Sequence, residues 1–174
     1  MKVLFLTIAL SLFSILQAQE SSSSEQQFEG TYFVKAIVKD SEFQEKKKTE
    51  EVSPLTVTHL SNGDLEAKFT AIINGTCKEI KMKLKKTNKH GLFSVDEIKR
   101  QVLIEKTSVR DHWILLCEGE LHGRQIRMAE LLGPYAEENP QAFEDYKKFV
   151  SLKGFNEEKI NIPSQTEACV PEHA

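Results

Sequence analysis

Cysteine is scarce in this chain, with three in 174 residues. That is too few for a small scaffold stapled by disulfides, so any stable core must be apolar. Five prolines and eight glycines exclude collagen-like and low-complexity chains and still allow several turns. No basic excess exists: 23 Lys and Arg stand against 26 Asp and Glu, a formal net charge of −3. A nucleic-acid-binding domain is therefore not expected. Beyond the N-terminal segment no apolar run is long enough to insert in a membrane.

Catalytic and metal signatures are missing too. There is no Gly-x-Ser-x-Gly, no phosphate-binding loop and no dinucleotide fingerprint. His59, His90, His112, His122 and His173 show no metal-ligand spacing and read as surface or turn imidazoles. The carboxylates are abundant but scattered, so no catalytic pair stands out. The sequence thus predicts no catalytic residue, no metal site and no cofactor.

What is present begins with an address. Lys2 precedes an uncharged run, Val3–Leu16, interrupted only by Thr7, Ser11 and Ser14. Leu16-Gln17-Ala18 offers a cleavage site, although Leu is bulkier than the small residue favoured there. Residues 1–18 read as a secretory signal, 19–27 as a mobile Ser- and Glu-rich lead-in, and 28–174 as one domain. Export permits a disulfide and makes Asn74-Gly75-Thr76 a candidate glycosylation site.

The domain is patterned as short strands. Tyr32, Val34, Ala36 and Val38 fall on one face of Thr31–Lys39. A charged loop follows over Asp40–Glu51, including Lys46-Lys47-Lys48. Leu55–Leu60 and Leu65–Ile73 flank Asn62-Gly63, a strong hairpin signal. In Cys77–Lys85, Ile80, Met82 and Leu84 alternate with lysines, so one face is buried and the other wet. Leu92–Val95, Gln101–Lys106, Trp113–Glu118 and Gln125–Leu132 supply four more strands, and the short links predict an up-and-down sheet closed into a barrel. One helix follows, with Asn139 as N-cap, Pro140 in the first helical position, an apolar stripe of Phe143, Tyr146 and Val150, and Gly154 as its end. A brief apolar strand is expected at Ile160–Ile162, then an irregular tail carrying Cys169.

This layout, with its local motifs, resembles the lipocalin family. Gly30-Thr31-Tyr32 is similar to the family's Gly-x-Trp signature, with Tyr in the Trp place. Arg110-Asp111-His112-Trp113 resembles the second motif, Thr-Asp-Tyr, with Asp111 kept and Trp113 in the Tyr place. The segment Cys117-Glu118-Gly119-Glu120-Leu121-His122-Gly123 looks like the matching strand of the von Ebner's gland and tear lipocalins; Val52-Ser53-Pro54 and Leu65-Glu66-Ala67-Lys68 fit the same subgroup, which joins odorant-binding and late-lactation proteins. The resemblance covers about residues 28–172 and implies an all-β fold: an eight-stranded up-and-down antiparallel barrel with one C-terminal helix. One departure stands out. Gly133-Pro134 occupies the place of the third motif's Arg, so the cation that covers the signature aromatic is missing and the barrel base should pack differently.

Three cysteines permit one bridge and one leftover. Cys169 lies in the tail, Cys77 opens a strand and Cys117 lies in mid-strand; the resemblance implies a Cys77–Cys169 bridge with Cys117 the odd one.

Stacking the inward strand faces gives a candidate ligand wall of Val34, Ala36, Leu55, Val57, Ala67, Phe69, Ala71, Ile80, Met82, Leu84, Leu115, Leu121, Ile126 and Met128, with Cys117 and Glu130 on the same faces. Unbranched, polarizable Met82 and Met128 suit ligands of varied shape. Glu130 sits either at a solvated rim or inside, where desolvation would raise its pKa. The expected function is a secreted carrier of small hydrophobic molecules, such as fatty acids, retinoids or odorants. The competing expectations are a cysteine-protease inhibitor and a nutritive protein with no specific ligand. No motif identifies a cell-surface receptor.

Overall fold

The computed structural model describes residues 28–40, 50–95, 99–121 and 123–172. The expected signal and lead-in, the lysine run at 46–48, His122 and His173 lie outside the described residues, as does the Leu121 side chain.

Eight antiparallel strands close into a barrel: β1 (Gly30–Asp40), β3 (Leu55–His59), β4 (Leu65–Ile73), β5 (Thr76–Lys86), β6 (Leu92–Val95), β7 (Arg100–Lys106), β8 (Trp113–Leu121) and β9 (Arg124–Gly133). Each barrel strand pairs with the next barrel strand in sequence, and β9 returns to β1, so the barrel has no edge strand. A two-residue β2 (Glu51–Val52) lies outside the barrel and pairs in parallel with β10 (Ser164–Gln165). Helix α1 (Pro140–Leu152) packs on the outside of β1, β8 and β9.

The turn chemistry follows the residues. Asn62 and Gly63 have φ of 74° and 81°, and the Leu60 N–H donates to the Asp64 carbonyl at 2.8 Å, which makes a three-residue hairpin loop. The Asn139 side chain accepts from the Ala142 N–H at 3.0 Å, capping α1 ahead of Pro140. At the other end Gly154 takes φ of 85°, a left-handed conformation that costs glycine least. The Phe155 N–H then reaches back to the Val150 carbonyl at 2.9 Å, closing the helix as its residues predicted.

Two apolar layers result. Inside the barrel, Tyr32, Val34, Ile37, Leu55, Val57, Leu65, Ala67, Leu84, Val95, Val102, Trp113, Leu115 and Leu132 form one cluster. Beneath the helix, Ala36, Val38, Ile114, Leu116, Ala129 and Leu131 pack on Ala142, Tyr146, Phe149 and Val150. Trp113-Ile114-Leu115-Leu116 is buried throughout because both faces of this strand are covered. The Tyr146 hydroxyl, fully buried, donates to the Ala129 carbonyl at 2.9 Å and fixes the helix to β9.

β1 does not keep the single face its sequence suggests. The pairing with β9 shifts register between Val34 and Ala36. This bulge turns the rest of the strand over, so Ile37 faces inward while Ala36 and Val38 face the helix. The expected strand at Ile160–Ile162 is reduced to one bridge, Asn161 with Ile37, and the paired tail segment comes later, at β10. Those bonds are between backbones of mostly polar residues, so no apolar pattern announced them.

Candidate functional site

The chain enters the barrel at Phe28, and the turns after β3, β5 and β7 lie at that same end. Phe28 stacks on Tyr32 with centroids 5.2 Å apart and meets Trp113 edge-on at 5.0 Å. Phe28 therefore covers the signature aromatic, and Lys106 Nζ lies 5.4 Å from the Trp113 ring centre at the same base. Gly133 has another part in this base. A Cβ there would lie 2.8 Å from the His112 ring and from Lys35 Cδ. The glycine lets Lys35 and His112 approach, and Lys35 Nζ donates to His112 Nε2 at 3.2 Å. His112 Nδ1 donates to the Arg110 carbonyl at 2.9 Å, which fixes the neutral tautomer. Lys35 Nζ also lies 4.5 Å from the Tyr135 ring centre. Burial holds the His112 pKa below its ordinary value, with the Lys35 charge acting the same way. Burial likewise lowers that of Lys35, against the opposing pull of Glu137 and Glu138. His112, expected as a surface or turn imidazole, does lie in the turn between β7 and β8, but it is 1% exposed rather than at the surface.

The opposite end holds a cavity of about 480 Å³. Val34 and Ile37 of β1, Leu55 of β3, Phe69 and Ala71 of β4 and Met128 and Glu130 of β9 form its inner wall. Glu50, Glu51, Val52 and Ser53 come from the β2 region, and Thr166, Glu167 and Cys169 from the tail. The tail is tied across this mouth by the Cys77–Cys169 disulfide, as expected, leaving Cys117 free. Gln165 Nε2 donates to the Val34 carbonyl at 2.7 Å, and the Cys169 N–H to Thr70 Oγ1 at 3.1 Å.

Glu130 faces inward. Its register partners are Ile37 on β1 and Leu115 on β8, both members of the interior cluster. Burial pushes its pKa from 4.5 up to about 7; Glu50 adds to the rise and Lys39 opposes it. Cys117 packs against the same interior, where burial, then the Glu130 charge, push its thiol up to about 12, with Arg100 opposing. The thiol therefore stays protonated and unreactive near neutral pH.

Of the expected wall, the structure brings Val34, Leu55, Phe69, Ala71, Met128 and Glu130 together at this cavity. Val57, Ala67, Leu84 and Leu115 pack in the interior cluster without lining it, and Met82 and Cys117 lie partly buried against that cluster. Ile80 and Ile126 are half-buried. Ala36 is corrected: the β1 bulge places it under the helix, fully buried and outside the barrel interior. Ile37 and the tail residues were missed. The bulge hides the first, whereas the expected disulfide was a usable signal that the tail reaches the mouth. A second space, about 670 Å³ at the Phe28 end, is lined by none of the expected residues. Its walls combine Phe28, Leu65, Phe93, Ile104 and Trp113 of the interior cluster with Leu103 and Glu105 from the outer face of β7, so it runs from the barrel interior to the outer surface.

A closed eight-stranded barrel with one flanking helix and an apolar chamber at one end defines a small-molecule-binding calyx. The family model for the "Lipocalin / cytosolic fatty-acid binding protein family" matches residues 29–167, and the chain belongs to the lipocalin family. It is 77% identical to Late lactation protein B of Notamacropus eugenii over 173 residues, 99% of each chain. It is 38% identical to von Ebner gland protein 1 of Rattus norvegicus over 172 residues, 97% of each chain. The fold is similar to that of the siderocalin Ex-FABP, with a TM-score of 0.70 and 19% identity, covering 81% of this chain and 98% of that one.

Proposed function

We propose that the protein is a secreted carrier that takes small hydrophobic molecules into the mouth-side cavity. The observation that carries this reading is the chamber of about 480 Å³, walled by Val34, Ile37, Leu55, Phe69 and Met128 around one inward carboxyl. That volume falls in the range of small-molecule sites, roughly 300–1,000 Å³. A chain buried there gains about 0.8 kcal/mol per methylene before association costs. The disulfide and the lipocalin family membership support export, and the likeness to Late lactation protein B supports milk as the fluid. Asn74, exposed at the β4–β5 turn, is proposed to carry glycan.

Native mass spectrometry of protein purified from its natural fluid tests the carrier reading. An adduct that becomes a free lipid-like molecule on solvent extraction is the expected result. Protein without adduct that also fails to bind apolar fluorescent probes would overturn it. The same spectra, before and after glycosidase treatment, report on Asn74; an unchanged mass refutes the glycan.

A further inference from the structure

Four carboxylates line the mouth-side cavity, Glu50, Glu51, Glu130 and Glu167, and among the described lining residues there is no Lys, Arg or His. Lys39, at the end of β1, is held by Glu50 Oε1 at 2.6 Å. Arg100 belongs to β7, and its Nε is buried without a hydrogen-bond partner, but it does not line this cavity. On the chamber wall Glu130 is half-buried between Ile37 and Leu115 of the neighbouring strands, and no hydrogen bond from the described residues reaches its carboxyl. A carboxylate partly withdrawn from water keeps only part of its hydration, and a ligand that brings a donor restores what is lost.

We propose that this cavity selects amphiphiles with a cationic amine head, a preference that rests on the carrier reading and names its ligand class. An ammonium brings three donors and no acceptor, which matches the ionised form of Glu130, an acceptor-only carboxylate. Glu130 receives the head while the alkyl chain lies against Val34, Phe69 and Met128. Glu51 and Glu167, nearer the mouth, attract the cation on approach, while Glu50 is already paired with Lys39. A fatty-acid anion meets carboxylates at both levels and finds no countercharge among the described lining residues. A neutral alcohol is accommodated by Glu130 but is not attracted at the rim.

The test is displacement of the uncharged probe N-phenyl-1-naphthylamine by dodecylamine, dodecanol and dodecanoic acid, at about pH 7. The proteins are the wild type, Glu130→Gln and Glu167→Gln, and retained probe binding shows that each variant is folded. The expected result is that the amine displaces at about one-tenth the concentration the acid needs, with the alcohol between them. That ratio should shrink severalfold in Glu130→Gln and less in Glu167→Gln. The inference is overturned if the acid matches the amine in the wild type, if the alcohol competes and the amine does not, or if the ratio is the same in all three proteins. Each of these leaves the carrier reading standing. Failure of the probe and of all three ligands to bind overturns both.

Discussion

Replacing Glu130 with Gln should make the protein more stable at alkaline pH and leave it unchanged in acid. The carboxyl titrates at 4.5 in the unfolded chain and at about 7 in the barrel. The native state therefore holds this proton more tightly than the unfolded state does. Stability tied to that proton is fully present below about pH 4.5 and is lost as pH rises through about 7. The gap corresponds to about 3 kcal/mol, an upper figure because water entering the mouth relaxes part of it. Glutamine keeps the shape and never ionises. Urea unfolding of both proteins, followed by circular dichroism from about pH 4 to about pH 8.5, isolates the residue, because other titrating groups largely cancel in the difference. The expected difference is near zero at the acid end and about 2–3 kcal/mol in favour of Glu130→Gln at the alkaline end. A difference that stays flat across that range would show a solvated carboxylate with an ordinary pKa, and the inward placement would be refuted.

Other outcomes follow from contacts of the same kind. Cys169→Ser opens a loop of 92 residues and should cost up to about 4–5 kcal/mol in thermal or urea unfolding, with the barrel's circular dichroism retained. Gly133→Ala forces a methyl to within 2.8 Å of the His112 ring and Lys35 and should cost about 1–3 kcal/mol by the same measurement. Tyr146→Phe removes the 2.9 Å bond to the Ala129 carbonyl and should lower stability by about 1 kcal/mol while leaving probe binding intact. Treatment of the native protein with a thiol reagent should leave Cys117 unmodified at neutral pH, because its pKa near 12 keeps it protonated; rapid labelling read by mass would refute this.

Much of this architecture was legible because its signals are local. Alternation in β5 fixes its wet lysine face and its inward face of Ile80, Met82 and Leu84, of which Leu84 is buried and the other two half-buried, without tertiary information. Asn62-Gly63, Asn139-Pro140 and Gly154 each mark a backbone conformation that few other residues adopt cheaply. The β1 bulge left no such mark. Val34, Lys35, Ala36, Ile37 and Val38 continue a regular pattern, and the register shift arises only from closure against β9. The site was half legible for a related reason. Strand faces predict Val34, Phe69, Met128 and Glu130, while the other wall belongs to a tail placed by backbone pairing with β2 and by a covalent tie to Cys77. Sequence periodicity carries no information about either. The depth of Glu130 depends on Ile37 opposite it, and Ile37 is inward only because of the bulge.

That bulge has a thermodynamic reach. From Val34 to Val38 every residue of β1 is buried, with Ile37 on the chamber wall and its neighbours Ala36 and Val38 bearing the weight of the helix. One stretch of backbone is thus shared between the compartment that receives a guest and the layer that docks α1. Whatever steadies Ile37 also steadies its neighbours, so occupancy of the chamber and attachment of the helix belong to one equilibrium. A guest should slow amide exchange not only at the chamber wall but along Tyr146, Phe149 and Val150, on the far side of the sheet. Conversely, loosening the helix by mutation should weaken the hold on a molecule it never touches, by the same free energy read in the opposite direction.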